Sequence, residues 1–237
     1  MEIFAGRLTA SKNKWFSEGM TNQERAASYA DSFPKFPPLR SDDRWIDGVW
    51  MLGNNYKGSG YYGAYPPGYL KRIEALFPDV RGARVLHPFA GSLRGVHGVR
   101  VDVNPANVPD VVADAACLPF PSASFDLVLA DPPYSSEDAK RYGTKMVNRR
   151  AVIAELARVT DGDGYLVWLD TVWPMFSKRD WHCFGQIGVV RSTNHRVRLV
   201  SLFQRRGVGP SSQHDMTSQS KPKTTPVSRQ PIDEGTR

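Results

Sequence analysis

The sequence predicts an α/β protein, a doubly wound, mostly parallel sheet that finishes in a C-terminal antiparallel hairpin. Three observations predict it. Short, near-continuously apolar runs recur through the centre of the chain, as in a parallel sheet covered on both faces. Segments with helical apolar spacing are interleaved with those runs. The last two apolar runs flank a polar turn short enough for antiparallel pairing.

The elements follow in order. Thr21 is a candidate N-cap with Glu24 three residues on, which predicts a helix over Asn22–Ser32. The segment Ser32-Phe33-Pro34-Lys35-Phe36-Pro37-Pro38 ends it. From Trp45 to Tyr69 aromatics and glycines crowd together, as in a loop packed on a core or a surface that stacks on something flat; both readings stay open. A helix is expected over Pro67–Phe77, with Leu70, Ile73 and Leu76/Phe77 on one side. Strands are expected from Arg84–Leu86, over Val99–Val103, Val111–Ala113 and Phe125–Ala130. A helix over Asn148–Val159 buries Val152, Leu156 and Val159, and Gly164–Leu169 is a fifth strand. Ile187–Val190 and Arg196–Phe203 pair across Ser192-Thr193-Asn194-His195.

This divides the 237 residues into an N-terminal extension (1–60), a candidate target-recognition segment; a catalytic domain (61–206); and a tail (207–237). The tail is rich in Ser, Thr, Pro, Gln and Lys and is expected to be disordered, because it holds too little apolar surface to offset ordering. At 41% hydrophobic and 23% charged residues, the bulk has ordinary globular composition. No run approaches the length of a membrane span and the N-terminus lacks the apolar core of a signal peptide, so a soluble, cytoplasmic protein is expected. Cys117 and Cys183 give no disulfide framework. Neither they nor His97, His182 and His195 have metal-ligand spacing, so no metal is expected.

The net charge of +7 is concentrated. Residues 178–206 carry seven basic side chains against one acidic, while 61–177 carry 12 against 13. A second basic cluster, Lys140, Arg141, Lys145, Arg149 and Arg150, has no acid within it. Both read either as solvated faces or as grips on a polyanion, with Arg196 and Arg198 the candidates in the hairpin.

Two segments carry chemistry. Pro88-Phe89-Ala90-Gly91-Ser92 is a small-residue turn after a strand, and in a doubly wound sheet a ligand sits beyond the strands' carboxyl ends. Asp102, ending the next strand, suits two ribose hydroxyls, and Asp114 in Ala113-Asp114-Ala115 suits an adenine amino group. The second segment is Asp131-Pro132-Pro133-Tyr134, straight after a buried strand. The prolines force an extended turn that thrusts out a carboxylate, a carbonyl and an aromatic ring. Those groups suit methylation of an exocyclic base amine: two acceptors for its two N–H bonds and a ring on which the extruded base stacks.

These residues resemble the class I S-adenosylmethionine-dependent methyltransferases, in particular the amino-group nucleic-acid methyltransferases. His87-Pro88-Phe89-Ala90-Gly91-Ser92 is similar to their DPFAGSG cofactor motif, and Asp131-Pro132-Pro133-Tyr134 to their catalytic D/N/S-PP-Y/F motif. Ala113-Asp114-Ala115 through Phe125-Asp126 resembles the wider superfamily's D-A-x-x-L-P-F…S-F-D run. Tyr65-Pro66-Pro67-Gly68-Tyr69-Leu70 is similar to the segment that closes over the methionine moiety. The resemblance spans about Tyr65 to Phe203. It implies a Rossmann-like fold and S-adenosylmethionine as cofactor. It also implies cofactor contacts from Tyr65, Pro88, Phe89, Ala90, Gly91, Ser92, Asp102, Asp114 and Ala115, and catalysis by Asp131, Pro132, Pro133 and Tyr134.

His87 stands where the family usually has an acid and Leu93 where it usually has a second Gly. The first crossover, Ser92 to Gly98, is shorter than the usual minimum of about 10–12 residues, so its helix is reduced to a turn or replaced by a loop. Arg94 or the upstream aromatics are then the candidates to meet the cofactor's carboxylate. The partner implied is nucleic acid, DNA favoured over RNA, with adenine leading because Asp heads the motif. The rivals are an RNA base amine, a protein glutamine amide, and a non-catalytic homologue that binds nucleic acid.

Overall fold

Capping sets where the first described helix begins. The computed structural model describes residues 19–53, 65–80, 82–191 and 197–207. Helix α1 spans Asn22–Ser32, and the Thr21 side chain accepts from Glu24 N while the Glu24 carboxylate accepts from Thr21 N at 2.8 Å. This is the capping box read from the spacing. The other α-helices among the described residues are α2 (Tyr69–Leu76), α3 (Ser136–Arg141) and α4 (Arg149–Val159). α4 starts where Asn148 caps Ala151 N, and α3 where Ser135 caps Asp138 N.

Nine strands form one sheet: β1 (Arg40–Ser41), β2 (Ile46–Leu52), β3 (Val85–Pro88), β4 (Val99–Asp102), β5 (Val111–Val112), β6 (Phe125–Ala130), β7 (Thr160–Asp170), β8 (Trp181–Arg191) and β9 (Val197–Arg205). Their order is β1-β2-β8-β9-β7-β6-β3-β4-β5. β3 pairs in parallel with both β4 and β6, and from it the chain winds outward in both directions. The crevice between the carboxyl ends of β3 and β6 is therefore the topological switch point, where α/β sheets place their ligands. The α/β doubly wound architecture and the terminal antiparallel pair expected from the sequence are both present.

Side chains alternate between two cores. Leu127, Leu129, Val167, Leu169, Ile187, Val189, Val200 and Leu202 face α1 and α2 with Tyr29, Ile73 and Leu76. Val128, Ala130, Leu166, Trp168 and Phe203 face α4, where Val152 and Leu156 join them with Ile153. Apolar residues at both parities of β6 and β7 are what made these strands legible as continuous apolar runs.

Three features were unforeseen or left open by the sequence. β2 was not foreseen: Ile46–Leu52 pairs in parallel with β8, and Trp50 is buried against Tyr29 and Tyr69. Gly48 and the exposed Val49 and Met51 break its apolar alternation. Residues 40–52 thus extend the same sheet instead of standing apart as an extension before residue 61. Second, β9 lies between β7 and β8, so the hairpin's second strand, not its first, pairs with β7. Third, the β3–β4 connection contains turns and bends but no helix, which settles the crossover as a loop. Gly98 has φ 113°, and a Cβ there would lie 2.7 Å from the Val85 carbonyl oxygen, so glycine is required at that crossing. The hairpin turn at 192–196, including Arg196, and the tail 208–237 lie outside the described residues.

Two buried arginines fix α1 against the sheet. Arg25 donates to both Asp79 oxygens at 2.8 and 2.7 Å, to the Leu76 carbonyl and to the Tyr165 hydroxyl. Arg72 donates to the Tyr29 hydroxyl at 2.6 Å and lies over Phe33 and Phe36, 4.5 and 4.4 Å from their centroids. Neither was singled out in the sequence, although Arg25 and Tyr29 are one helical turn apart on one face.

Candidate active site

The parallel pairing of β3 with β6 brings the two chemical segments of the sequence to one sheet edge. Asp131 leaves the end of β6 with the parity of Leu127 and Leu129, so it belongs to the face covered by α1 and α2. Pro132 and Pro133 are buried in the turn. Tyr134 folds back so that its hydroxyl donates to Asp131 Oδ1 at 2.5 Å. Burial pushes the Asp131 carboxyl up to about 7, against the pull of Arg198, the Tyr134 hydroxyl and Arg191, while Asp170 adds to the rise. Burial also drives the Tyr134 phenol well above its ordinary range.

Tyr65 stacks on Tyr69 with centroids 5.1 Å apart, and its hydroxyl donates to the Leu129 carbonyl at 2.9 Å. That bond ties the segment before α2 to the strand that delivers Asp131. The aromatic stretch is therefore, in its described part, a wall packed on the core, with Trp50 and Tyr69 buried in it.

The β3 turn begins at Pro88 and carries Phe89 at φ 64° and Gly91 at φ 51°. A left-handed phenylalanine is costly and is held here by the bonds on either side. Ala90 N donates to the Val101 carbonyl and Gly91 N to Asp102 Oδ2 at 2.8 Å. Asp102 Oδ1 also accepts from Asn104 N at 2.8 Å, so this carboxylate braces the turn it faces. Asp114 Oδ1 accepts from Ala116 N, Ala115 is buried, and Ser92 completes the β3 turn. Pro88, Asp102 and Asp114 thus lie at or just beyond the carboxyl ends of three adjacent strands, β3, β4 and β5.

His87, in the position of the expected acid, is buried, and burial lowers its pKa. Its Nε2 is 3.0 Å from the His97 carbonyl, so that nitrogen carries the proton, and Nδ1 is an acceptor with no partner. Arg94 donates to the Leu93 and Asn107 carbonyls, which anchors the loop and leaves its head turned toward backbone.

The basic residues separate into two groups. Lys140 and Arg141 lie in the last turn of α3, Lys145 in the loop after it and Arg150 at the start of α4, all exposed. Arg149 turns inward instead: its Nε is 2.6 Å from Asp170 Oδ2 and its Nη2 donates to the Tyr134 carbonyl at 3.2 Å. Asp170 is fully buried at the end of β7 and also accepts from Trp168 Nε1 and Thr171 N. Arg149 therefore braces the Asp131–Tyr134 turn, where the sequence placed it among phosphate grips. Arg198 also faces the site, 4.7 Å from the Tyr134 ring centroid. Sequence reasoning singled out the Asp131–Tyr134 turn but missed this arginine–carboxylate frame. Its one sequence signal was Asp170 at the end of a strand. Among the described residues no group of three or more His, Cys, Asp or Glu is placed to hold a metal ion, and no helix is long and apolar enough to cross a membrane.

No family model and no curated protein matches the chain. Among solved structures it is similar to a TehB-like SAM-dependent methyltransferase from Corynebacterium glutamicum, at 17% identity over 64% of this chain and 93% of that one, with a TM-score of 0.43. It is also similar to a SAM-dependent methyltransferase from Methanosarcina mazei, at 14% identity over 53% and 93%, with a TM-score of 0.40. A third is the 1,6-didemethyltoxoflavin-N1-methyltransferase of Burkholderia thailandensis, solved with 1,6-didemethyltoxoflavin and S-adenosylhomocysteine, at 15% identity over 53% and 71%, with a TM-score of 0.36.

Proposed function

We propose that the protein is an S-adenosylmethionine-dependent methyltransferase acting on the exocyclic amine of a nucleic-acid base, with adenine in DNA as the leading substrate. The observation that carries this reading is the seat of Asp131-Pro132-Pro133-Tyr134 at the switch point, one strand away from the Pro88–Ser92 turn. A carboxylate, a turn carbonyl and an aromatic ring converge there, beside a row of acceptors suited to a nucleoside.

The residues present fit the cofactor. The tight β3 turn brings backbone to the crevice, Asp102 would meet the ribose hydroxyls and Asp114 the adenine amine, with Tyr65 closing the side toward α2. When bound, S-adenosylmethionine supplies an electrophilic methyl group. The chain's own groups bind and orient the acceptor. Asp131 and the Pro132 carbonyl would accept from the two amine N–H bonds, which favours a pyramidal nitrogen with its lone pair free. At about 7, the Asp131 carboxyl is also matched to hold the proton the amine sheds at neutral pH. Tyr134, covered on one face by Arg198, would offer its other face to the base. Lys140, Arg141, Lys145 and Arg150 flank this turn in sequence and would contact phosphates.

The loop in place of the first crossover helix favours a second reading, a non-catalytic homologue that binds nucleic acid, because it removes a helix N-terminus from the cofactor side. Transfer of labelled methyl to DNA, RNA and protein, with Asp131→Ala as control, separates the readings. Transfer to DNA that Asp131→Ala abolishes is expected. Cofactor binding without transfer to any acceptor would sink the enzyme reading.

A further inference from the structure

Arg198 stands out in the sequence only as one member of a charged block. In the sheet it pairs with Val189 of β8 and shares a face with Val200 and Leu202, the face that also carries Leu127 and Leu129. Its neighbour Leu199 pairs with Asp170 at the carboxyl end of β7, so Arg198 arrives at the sheet edge that holds the catalytic turn. There its guanidinium carbon lies 4.7 Å from the Tyr134 centroid, within cation–π range. Tyr134 in turn is bonded through its hydroxyl to Asp131. The Arg198 Nε is buried without a hydrogen-bond partner, so that nitrogen gains nothing from an ordinary polar contact to offset its burial.

We propose that Arg198 is a positioning residue of the reacting centre: it clamps the Tyr134 ring by one face and, through Tyr134, holds the Asp131 carboxylate in its accepting orientation. The proposal rests on the reading in which Asp131 accepts from the substrate amine. It assigns Arg198 to the chemistry and leaves the gripping of phosphate to other basic residues.

The charges around Asp131 give this role a measurable signature. Arg198 faces it from β9, Arg191 from β8, Asp170 from the end of β7 and Tyr134 from its own turn. Tyr65 and Tyr69 face it from the α2 side, with phenols that burial keeps neutral. Among the groups that favour the ionised carboxylate, Arg198 has the largest effect. Removing its charge should move the carboxyl further up.

The test uses the full chain with Arg198→Met and Arg198→Lys. The Asp131 side-chain carboxyl is titrated by carbon NMR in the free protein, and Tyr134 ring resonances are recorded alongside. In Arg198→Met the midpoint should rise from about 7 by about one pH unit. The lysine variant keeps the charge and loses the flat stack, so its midpoint should stay near the wild-type value while the Tyr134 resonances move. With a DNA duplex and labelled cofactor, Arg198→Met should lower kcat about tenfold and shift the pH profile by the NMR increment, with DNA affinity within about twofold. Weaker DNA binding with an unmoved Asp131 midpoint and unmoved Tyr134 resonances would overturn the proposal and make Arg198 a phosphate grip. Should wild-type protein methylate no nucleic acid, the base-amine reading falls, and the titration in the free protein still decides the clamp. If Arg198→Met does not fold, the lysine variant decides it through Tyr134: unmoved ring resonances there refute the clamp.

Discussion

Replacing Asp131 with asparagine should remove activity and, above neutral pH, stabilise the protein. Asparagine keeps the shape and an oxygen for the Tyr134 hydroxyl but cannot ionise. Burial raises the Asp131 carboxyl from an ordinary 3.8 to about 7 in the folded chain. Between those values the folded state holds a proton that the unfolded state has released. The stability Asp131 contributes is therefore fully present below pH 3.8 and is lost as pH rises through 7. A rise of about three pH units, at about 1.36 kcal/mol each, sets a ceiling of about 4 kcal/mol. Urea unfolding of both proteins at intervals from pH 4 to pH 8 measures it, because every other carboxylate is common to the two and cancels. The stability difference should swing toward Asp131→Asn by about 2–4 kcal/mol across that range, and its Tm at pH 8 should gain about 2–4 °C per kcal/mol. A difference that stays flat within about 0.5 kcal/mol would refute the claim that the Asp131 carboxylate is desolvated.

Four further outcomes follow from contacts already described. Arg25→Met strands the Asp79 carboxylate and the Tyr165 hydroxyl and should cost about 3–5 kcal/mol in denaturant unfolding; a loss below about 1 kcal/mol would remove that ion pair from the fold's supports. Gly98→Ala drives a Cβ into the Val85 backbone and should destabilise severely or prevent folding. Gly95→Ala, at φ 62° with open space around it, should cost only about 1 kcal/mol by thermal melting. Arg149→Gln releases Asp170 and the Tyr134 carbonyl, so methyl transfer should fall with DNA affinity unchanged; weaker DNA binding at unchanged turnover would return Arg149 to the phosphate grips.

What was legible in the sequence was local. The Thr21–Glu24 box, the strand patterns at Phe125–Ala130 and Val99–Val103, and the two prolines after Asp131 each act through neighbours in the chain, and each lies at or within a residue of where its pattern placed it. The N-cap half of that pattern was present unread at Ser135, whose side chain caps Asp138 N where α3 begins. What stayed hidden depends on partners far along the chain. β2 needs β8 to bury Trp50, and its glycine and aromatic content looked like a loop until that partner was beside it. Arg149 and Arg198 looked like members of basic clusters because charge counting cannot tell a side chain facing solvent from one facing Asp170 or Tyr134. A basic run marks a surface only where no buried acceptor lies within reach.

The pairing of β2 with β8 has a consequence for how the chain is made. The strand at Ile46–Leu52 leaves the ribosome long before Gly185–Arg191, its partner, and β8 reaches β7 only through β9, which is synthesised later still. The nascent chain must therefore carry β2 as an unpaired strand until β8 is made, although Tyr29 and Tyr69 can already cover Trp50, and an unpaired strand invites misassociation. Chains released before Val197 could pair β2 with β8 but should be unable to join that pair to β7. Translation of the nine residues of β9, not of the Asp131–Tyr134 turn, would then be the event that joins the two halves of the sheet.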